Sequence, residues 1–280
     1  MRLFVFGYGF SARALGRRLA PGGWTISATA RTPEASEAIA AEGVSPVSLQ
    51  DPDALRDALA AADALLITAP PGASGCPALA ATAPHRGVMQ PGWVGYLSTT
   101  GVYGDRQGGW VRETSRLAAQ SVEAARRVGA ERDWRNSGLP LHIFRLPGIY
   151  GSGRSALDRL RAGEARRIAA AGQVFSRIHV DDLAAGLAAS LARPRPGAIY
   201  NLCDDEPAPN SDVIAYAARL LGVPIPPEIS LAEAALSPAA LRFYAESKRV
   251  SNARAKAELG WRPAHPTYRE GLTAILDGGG

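Results

Sequence analysis

The sequence predicts an α/β fold, a doubly wound parallel sheet followed by a smaller mixed C-terminal part. Three observations carry this reading. Short apolar runs at 3–6, 25–30, 44–47, 64–68, 94–98 and 141–146 alternate with helical patterns, among them 33–41, 53–61 and 113–136. Strands alternating with helices imply right-handed crossovers and a parallel sheet covered on both faces. The first run leads directly into a glycine-rich turn and then a helical pattern, at Gly7-Tyr8-Gly9-Phe10-Ser11-Ala12. After Gly151 the pattern changes to helices separated by short extended pieces, with proline-rich breaks at 194–196, 207–209 and 224–227. The reading therefore places a sheet domain at 1–150 and a smaller C-terminal part at 151–280, with 198–202 returning as a strand to the main sheet.

Each element has a local reason. Gly7 permits a tight turn out of the first strand, Gly9 lets the backbone approach a pyrophosphate, and Ala12 is small enough for the helix to lie close to the strand. The helix start then presents unpaired N–H groups and the positive dipole end to the phosphates. This is the Rossmann-type arrangement for a dinucleotide, with Tyr8, Phe10 and Ser11 completing the loop. The second strand, 25–30, would end in an acid about 20 residues beyond the glycines if it held the ribose 2′-hydroxyl of NAD. It ends instead at Arg31-Thr32. A guanidinium fork there suits the 2′-phosphate of NADP, so NADP is the expected cofactor and NAD the alternative. Ligands of such sheets bind beyond the carboxyl ends of the strands. The loops 68–72, 99–104 and 147–153 fall at those ends, which adds Ala69, Pro70 and Pro147 to the expected cofactor contacts.

Composition narrows the class. Hydrophobic residues make up 46% and charged residues 20% of the 280 residues, as in ordinary soluble globular proteins. No apolar run approaches the roughly 18 residues that would span a bilayer, and a strand starting at Arg2 argues against a secretory leader. Cys76 and Cys203 are the only cysteines and form no metal-ligand motif, which fits a reduced, cytoplasmic setting and no metal site. The net charge of +5 is spread along the chain, with no basic tract of the kind that binds nucleic acid. Small anionic ligands account for it.

Further segments, in order, resemble one family. They are Leu97-Ser98-Thr99-Thr100-Gly101-Val102-Tyr103-Gly104, Arg145-Leu146-Pro147-Gly148-Ile149-Tyr150-Gly151, Ile178-His179-Val180-Asp181-Asp182, and Glu258-Leu259-Gly260-Trp261-Arg262-Pro263. Together with the N-terminal glycine turn they resemble the extended short-chain dehydrogenase/reductases, the NAD-dependent epimerase/dehydratase-like proteins, and most of all their atypical YeeZ-type branch. The resemblance implies a Ser or Thr, a Tyr and a Lys as the catalytic set. Thr99 matches the hydroxyl that hydrogen-bonds the reacting oxygen. Counting back from Glu131 places Arg127 at the lysine position, to hold the nicotinamide ribose, and Glu123 at the tyrosine position. The usual proton donor is thus absent, because a glutamate is ionised at neutral pH and makes a poor acid. The simpler reading of Glu123 and Arg127 is an i, i+4 ion pair on an exposed helix face.

Tyr103, near the mouth of the expected crevice, is the better candidate for a substitute donor, although its place in the resemblance is structural more often than catalytic, and the proton donor stays unassigned. The literal Y-x-x-x-K at Tyr244–Lys248 lies beyond the sheet strands and is read as coincidence. His179 is read as a packed residue, and Asp181 as a helix N-cap. Arg177 and Arg249 are the candidates for gripping an anionic substrate. Nucleotide-sugar relatives carry a diphosphate-binding arginine four residues before the histidine, where this chain has Phe175. The chain is accordingly read as an NADP-dependent oxidoreductase or epimerase/dehydratase-like enzyme for a small polar metabolite. The alternative is a non-catalytic NAD(P)-binding sensor or regulatory protein. Pairing of two copies through helices flanking the sheet is compatible with the resemblance.

Overall fold

The computed structural model describes residues 1–236, 241 and 244–278. Its main sheet has seven strands in the order β11-β7-β5-β4-β1-β2-β3. These are β1 (Arg2–Phe6), β2 (Thr25–Ala30), β3 (Ser45–Ser48), β4 (Ala64–Ile67), β5 (Trp93–Thr99), β7 (Leu141–Leu146) and β11 (Ile199–Asn201). The register is parallel where β1 meets β2 and β4, with Val5 opposite both Ala28 and Leu66. The strand order reverses between β1 and β4, the switch point at which ligands of such sheets bind.

The expected strands lie where the apolar runs place them, and 198–202 supplies the edge strand β11. One expectation is corrected. Helix α5 runs only over Val122–Arg135, not 113–136. Residues 113–121 are held by tertiary bonds instead: the buried Glu113 accepts from the Asn201 backbone N–H at 2.9 Å, and the Ala118 N–H donates to the Val102 carbonyl at 3.0 Å. Such bonds outweigh the modest helix propensity of the segment.

Where the sequence suggested a division near residue 150, the contacts divide the chain into two interleaved compact units. The sheet unit comprises Met1–Thr99, Val122–Arg145 and Leu183–Tyr200, and the second comprises Thr100–Ser121, Leu146–Asp182 and Asn201–Gly280. The core of the sheet unit gathers Phe4, Phe6, Leu55, Leu59, Leu65, Ile67, Val94, Tyr96, Trp134 and Ile143. Central strands buried on both faces read as continuous apolar runs, which is why 64–67 is Ala-Leu-Leu-Ile. Helices α1 (Phe10–Leu19), α2 (Pro33–Ala41) and α3 (Pro52–Ala60) provide the crossovers among β1 to β4. Thr32 and Asp51 cap α2 and α3 by accepting from the Ala35 and Ala54 N–H groups.

The second unit has its own core, in which Leu157, Val213, Ala217, Tyr268, Leu272 and Ile275 meet. These residues come from α6 (Ala156–Arg161), α8 (Asn210–Leu221) and the C-terminal helix Tyr268–Asp277. Two short parallel pairs accompany them: β8 (Gly148–Tyr150) with β10 (Arg177–His179), and β9 (Arg167–Ala169) with β12 (Glu228–Ser230).

Candidate active site

In the sheet unit, β1 ends in a turn that two neighbouring strands hold in place. Gly7 has φ +89°, and a side chain there would place its Cβ 2.8 Å from the Thr68 hydroxyl, so backbone conformation and space both require glycine. Its N–H donates to the Thr29 hydroxyl at 3.0 Å, and the Thr68 hydroxyl donates to the Phe6 carbonyl at 3.1 Å. The Ala69 N–H reaches the same Phe6 carbonyl at 3.0 Å. Gly9 is the N-cap of α1. No side chain caps this helix, no acid lies in its first turn, and a Cβ at Gly9 would project into open space. Ala12 is buried behind it. An open, uncapped helix start behind a glycine turn fits a pyrophosphate, which the N–H groups and the dipole would hold. Arg31 follows the last residue of β2 and is exposed, with Thr32 starting the next helix immediately after it. The residues present therefore fit a nicotinamide dinucleotide.

At the other side of the switch point, Thr99 closes β5 and is half-buried. Arg127, on α5, turns its guanidinium back onto this strand. It donates to the Leu97 carbonyl at 2.5 Å and to the Tyr96 hydroxyl at 3.3 Å, with its carbon 5.7 Å from the centre of the Tyr96 ring. Burial pushes the Tyr96 phenol up to about 12, against the pull of Arg127, so it stays a neutral hydrogen-bonding group. One turn further along α5, the buried Glu131 accepts from the Ser98 hydroxyl at 2.6 Å and from Arg145 at 3.1 and 2.8 Å. This buried ion pair ties α5 to β5 and β7.

Tyr103 belongs to the second unit and is fully buried. Its hydroxyl donates to the Asn201 side-chain oxygen at 2.7 Å, while Asn201 donates in turn to Glu113 and, at 3.1 Å, to the Ser251 carbonyl. The phenol weighed as a substitute donor is thus committed to a structural network. Pro147 follows β7 directly and is half-buried.

The second unit encloses a cavity of about 990 Å³. Arg177 lines it from β10, and only 9% of the residue is exposed. Its guanidinium donates to the Ala208 carbonyl at 2.8 Å and the Glu206 carbonyl at 3.3 Å, and lies 5.4 Å from the centre of the Tyr268 ring. Burial pulls Arg177 below the usual arginine range, with Asp204 opposing. Asp204 is itself buried, and neither carboxylate oxygen has a hydrogen-bond partner among the described residues. Desolvation pushes it up to about 8, with Arg177 pulling the other way. Tyr150 also lines the cavity. Its hydroxyl is buried against Gly271, where any side chain would begin 2.0 Å from that oxygen.

Arg249 does not line this cavity. It sits on β13 (Arg249–Val250), paired with β6 (Trp110–Val111), and donates to the Gly108 carbonyl. The cavity therefore takes one of the two candidate substrate arginines. Tyr244, set aside in the sequence, lines it as well, whereas Lys248 is paired with Glu246 at 2.5 Å.

His179 is packed as expected, edge-on to Tyr150 at 5.3 Å and 4.1 Å from the His265 ring. Burial and the neighbouring His265 lower its pKa. Asp181 is not the N-cap: it lies inside the first turn of α7 (Val180–Ala192), its carboxylate exposed. The residue with the larger part is Asp182, which the sequence reading did not single out. It accepts from the Ala264 and His265 N–H groups at 2.6 and 3.0 Å and from the His265 ring at 2.9 Å, while its carbonyl accepts from the Trp261 indole at 3.1 Å. That hydrogen-bonded strap raises the pKa of His265. His179, Asp182 and His265 have ligand-type atoms within 4.8 Å of one another, but Asp182 already spends both oxygens on the strap.

Comparison with known proteins gives the same architecture. No family model matches the chain. Protein YeeZ of Escherichia coli strain K12 is 30% identical over 249 residues, 80% of this chain and 85% of that protein. A 3-diazoavenalumate denitrifying reductase of a Streptomyces species is 33% identical over 153 residues, 51% of this chain and 49% of that enzyme, so the match spans about half of the reductase. Among solved structures, a functionally unknown conserved protein from Silicibacter pomeroyi superposes with a TM-score of 0.90 at 49% identity, over 99% of this chain and 98% of that one. The dTDP-glucose 4,6-dehydratase DesIV of Streptomyces venezuelae, solved with NAD and TYD bound, superposes with a TM-score of 0.76 at 21% identity over 99% and 96%.

Proposed function

From the premise that this chain belongs to the NAD-dependent epimerase/dehydratase family of extended short-chain dehydrogenase/reductases, in its YeeZ-type branch, we propose that it is an NADP-dependent oxidoreductase or epimerase/dehydratase-like enzyme acting on a small polar metabolite. The observation that carries this reading is the open N-terminus of α1. Gly9 there leaves space where a side chain would stand, behind the Gly7 turn held by Thr29 and Thr68. When bound, the nicotinamide supplies or accepts hydride. The chain's own residues do the rest.

The α1 N–H groups and dipole hold the pyrophosphate, with Tyr8, Phe10, Ser11, Ala69, Pro70 and Pro147 around the dinucleotide. Arg31 pairs with the 2′-phosphate. Arg127 replaces the family lysine at the nicotinamide ribose, its position set by the Leu97 carbonyl. Thr99 donates to the reacting oxygen and orients it. Arg177 meets the charge of the substrate, with Arg249, which lies outside the cavity that Arg177 lines, as the second candidate.

A second reading, a non-catalytic NAD(P) sensor, draws on the glutamate and arginine at positions 123 and 127. The two separate on Thr99→Val. For the enzyme, kcat falls on the order of 100-fold while cofactor affinity stays unchanged, since one hydrogen-bond donor to the reacting oxygen is lost. Turnover unchanged in Thr99→Val takes Thr99 out of the mechanism.

A further inference from the structure

We propose that the cavity of the second unit is an oxyanion site with Arg177 as its anchor, and that its occupant is a compact organic acid, carboxylate or phosphate ester, with an apolar, ring-bearing body. The inference deepens the reading above and rests on it for the statement that the occupant is the substrate.

Charge is the first argument. Arg177 is almost wholly buried, and its guanidinium donates to two backbone carbonyls, which accept hydrogen bonds but carry no net charge. No ion pair to Arg177 forms among the described residues. A buried cation without an anionic partner is costly, and an entering oxyanion offsets that cost through charge-assisted hydrogen bonds. Asp204 lies near Arg177 but makes no hydrogen bond to it, and burial pushes its carboxyl towards the neutral form. Among the exposed lining residues, Arg154, Arg159 and Arg166 stand against Glu164, so the approach is cationic on balance as well.

The walls give the second argument. Phe175 and Tyr244 meet edge to face at 5.5 Å, and the Tyr268 ring lies under the Arg177 guanidinium. Ile214 and Leu272 line the same space. Aromatic residues are only 7% of this chain, so their gathering around one arginine marks a ring-accepting wall. A volume near 990 Å³ is at the upper end of small-molecule pockets.

The test uses the full-length protein without cofactor and three probes: benzoate, phenyl phosphate and the neutral isostere benzamide, titrated by calorimetry. The expected result is that one or both anions bind roughly tenfold or more tightly than benzamide, and that Arg177→Gln removes that advantage. Benzoate against phenyl phosphate decides which oxyanion the site takes. Since Arg177→Gln alters a buried position, Arg159→Glu at the exposed mouth is the companion variant; it weakens anion binding roughly threefold and leaves benzamide untouched. Benzamide binding as well as the anions, or unchanged anion affinity in folded Arg177→Gln or in Arg159→Glu, overturns the proposal. NADPH titrated in parallel keeps the two ideas apart: cofactor binding without anion binding removes the cavity assignment alone, and the reverse removes the cofactor reading alone.

Discussion

Asp204 shows how much one residue's surroundings can matter. It is buried beside Arg177, Asp205 and Glu206, and desolvation dominates, so its folded-state pKa of about 8 lies far above that of the unfolded chain. The native state then holds a proton that the unfolded state releases. The contribution of the neutral carboxyl to stability is full below the unfolded carboxylate range and is lost as pH rises towards about 8. Asp204→Asn, which mimics the neutral form, is expected to gain stability relative to wild type as pH rises from the acid range to 8. Urea melts at several pH values check this, and a pH-independent difference would contradict it. Nothing in the local sequence Cys203-Asp204-Asp205 signals such an environment. Gly7 and Gly9, by contrast, were legible because their requirement is local: a positive φ after a strand and an open approach before a helix. The surroundings of Tyr103 were not legible in this way, as the partner of its hydroxyl, Asn201, is remote in sequence.

Among the elements, α5 is tied to the sheet through one buried side chain, Glu131. Glu131 binds Ser98 of β5 and Arg145 of β7, and both members of the ion pair are buried. Glu131→Ala removes the carboxylate that Arg145 pairs with in the interior, an expected cost of about 3–5 kcal/mol in denaturant unfolding. It is also expected to loosen Arg127, which sits on the same helix one turn earlier. A loss below about 1 kcal/mol would place Arg145 in contact with water or another acid. The strands were readable because apolar runs and their flanking turns are local signals. The start of α5 was not, because helix-compatible residues at 113–121 are claimed by bonds to Asn201 and Val102. The 151–280 region was readable only in outline. Its cavity draws Tyr150, Arg177, Tyr244 and Tyr268 from separate elements, and no spacing rule connects them.

Over the whole molecule, the chain has the family fold, and the changed catalytic set is part of the proposal. The sheet, its switch point and the glycine turn follow the family, while positions 123 and 127 carry glutamate and arginine. No described helix is long and apolar enough to cross a membrane. The central claim is that the switch point holds NADP, with Arg31 on the 2′-phosphate. Titrating wild type and Arg31→Ala with NADPH and NADH, by nicotinamide fluorescence and thermal stability, tests it most directly. The account predicts that NADPH binds more tightly than NADH in wild type, and that Arg31→Ala weakens NADPH roughly tenfold, as loss of a charge-assisted pair should, with NADH little changed. Binding of neither nucleotide to the wild-type protein would contradict it.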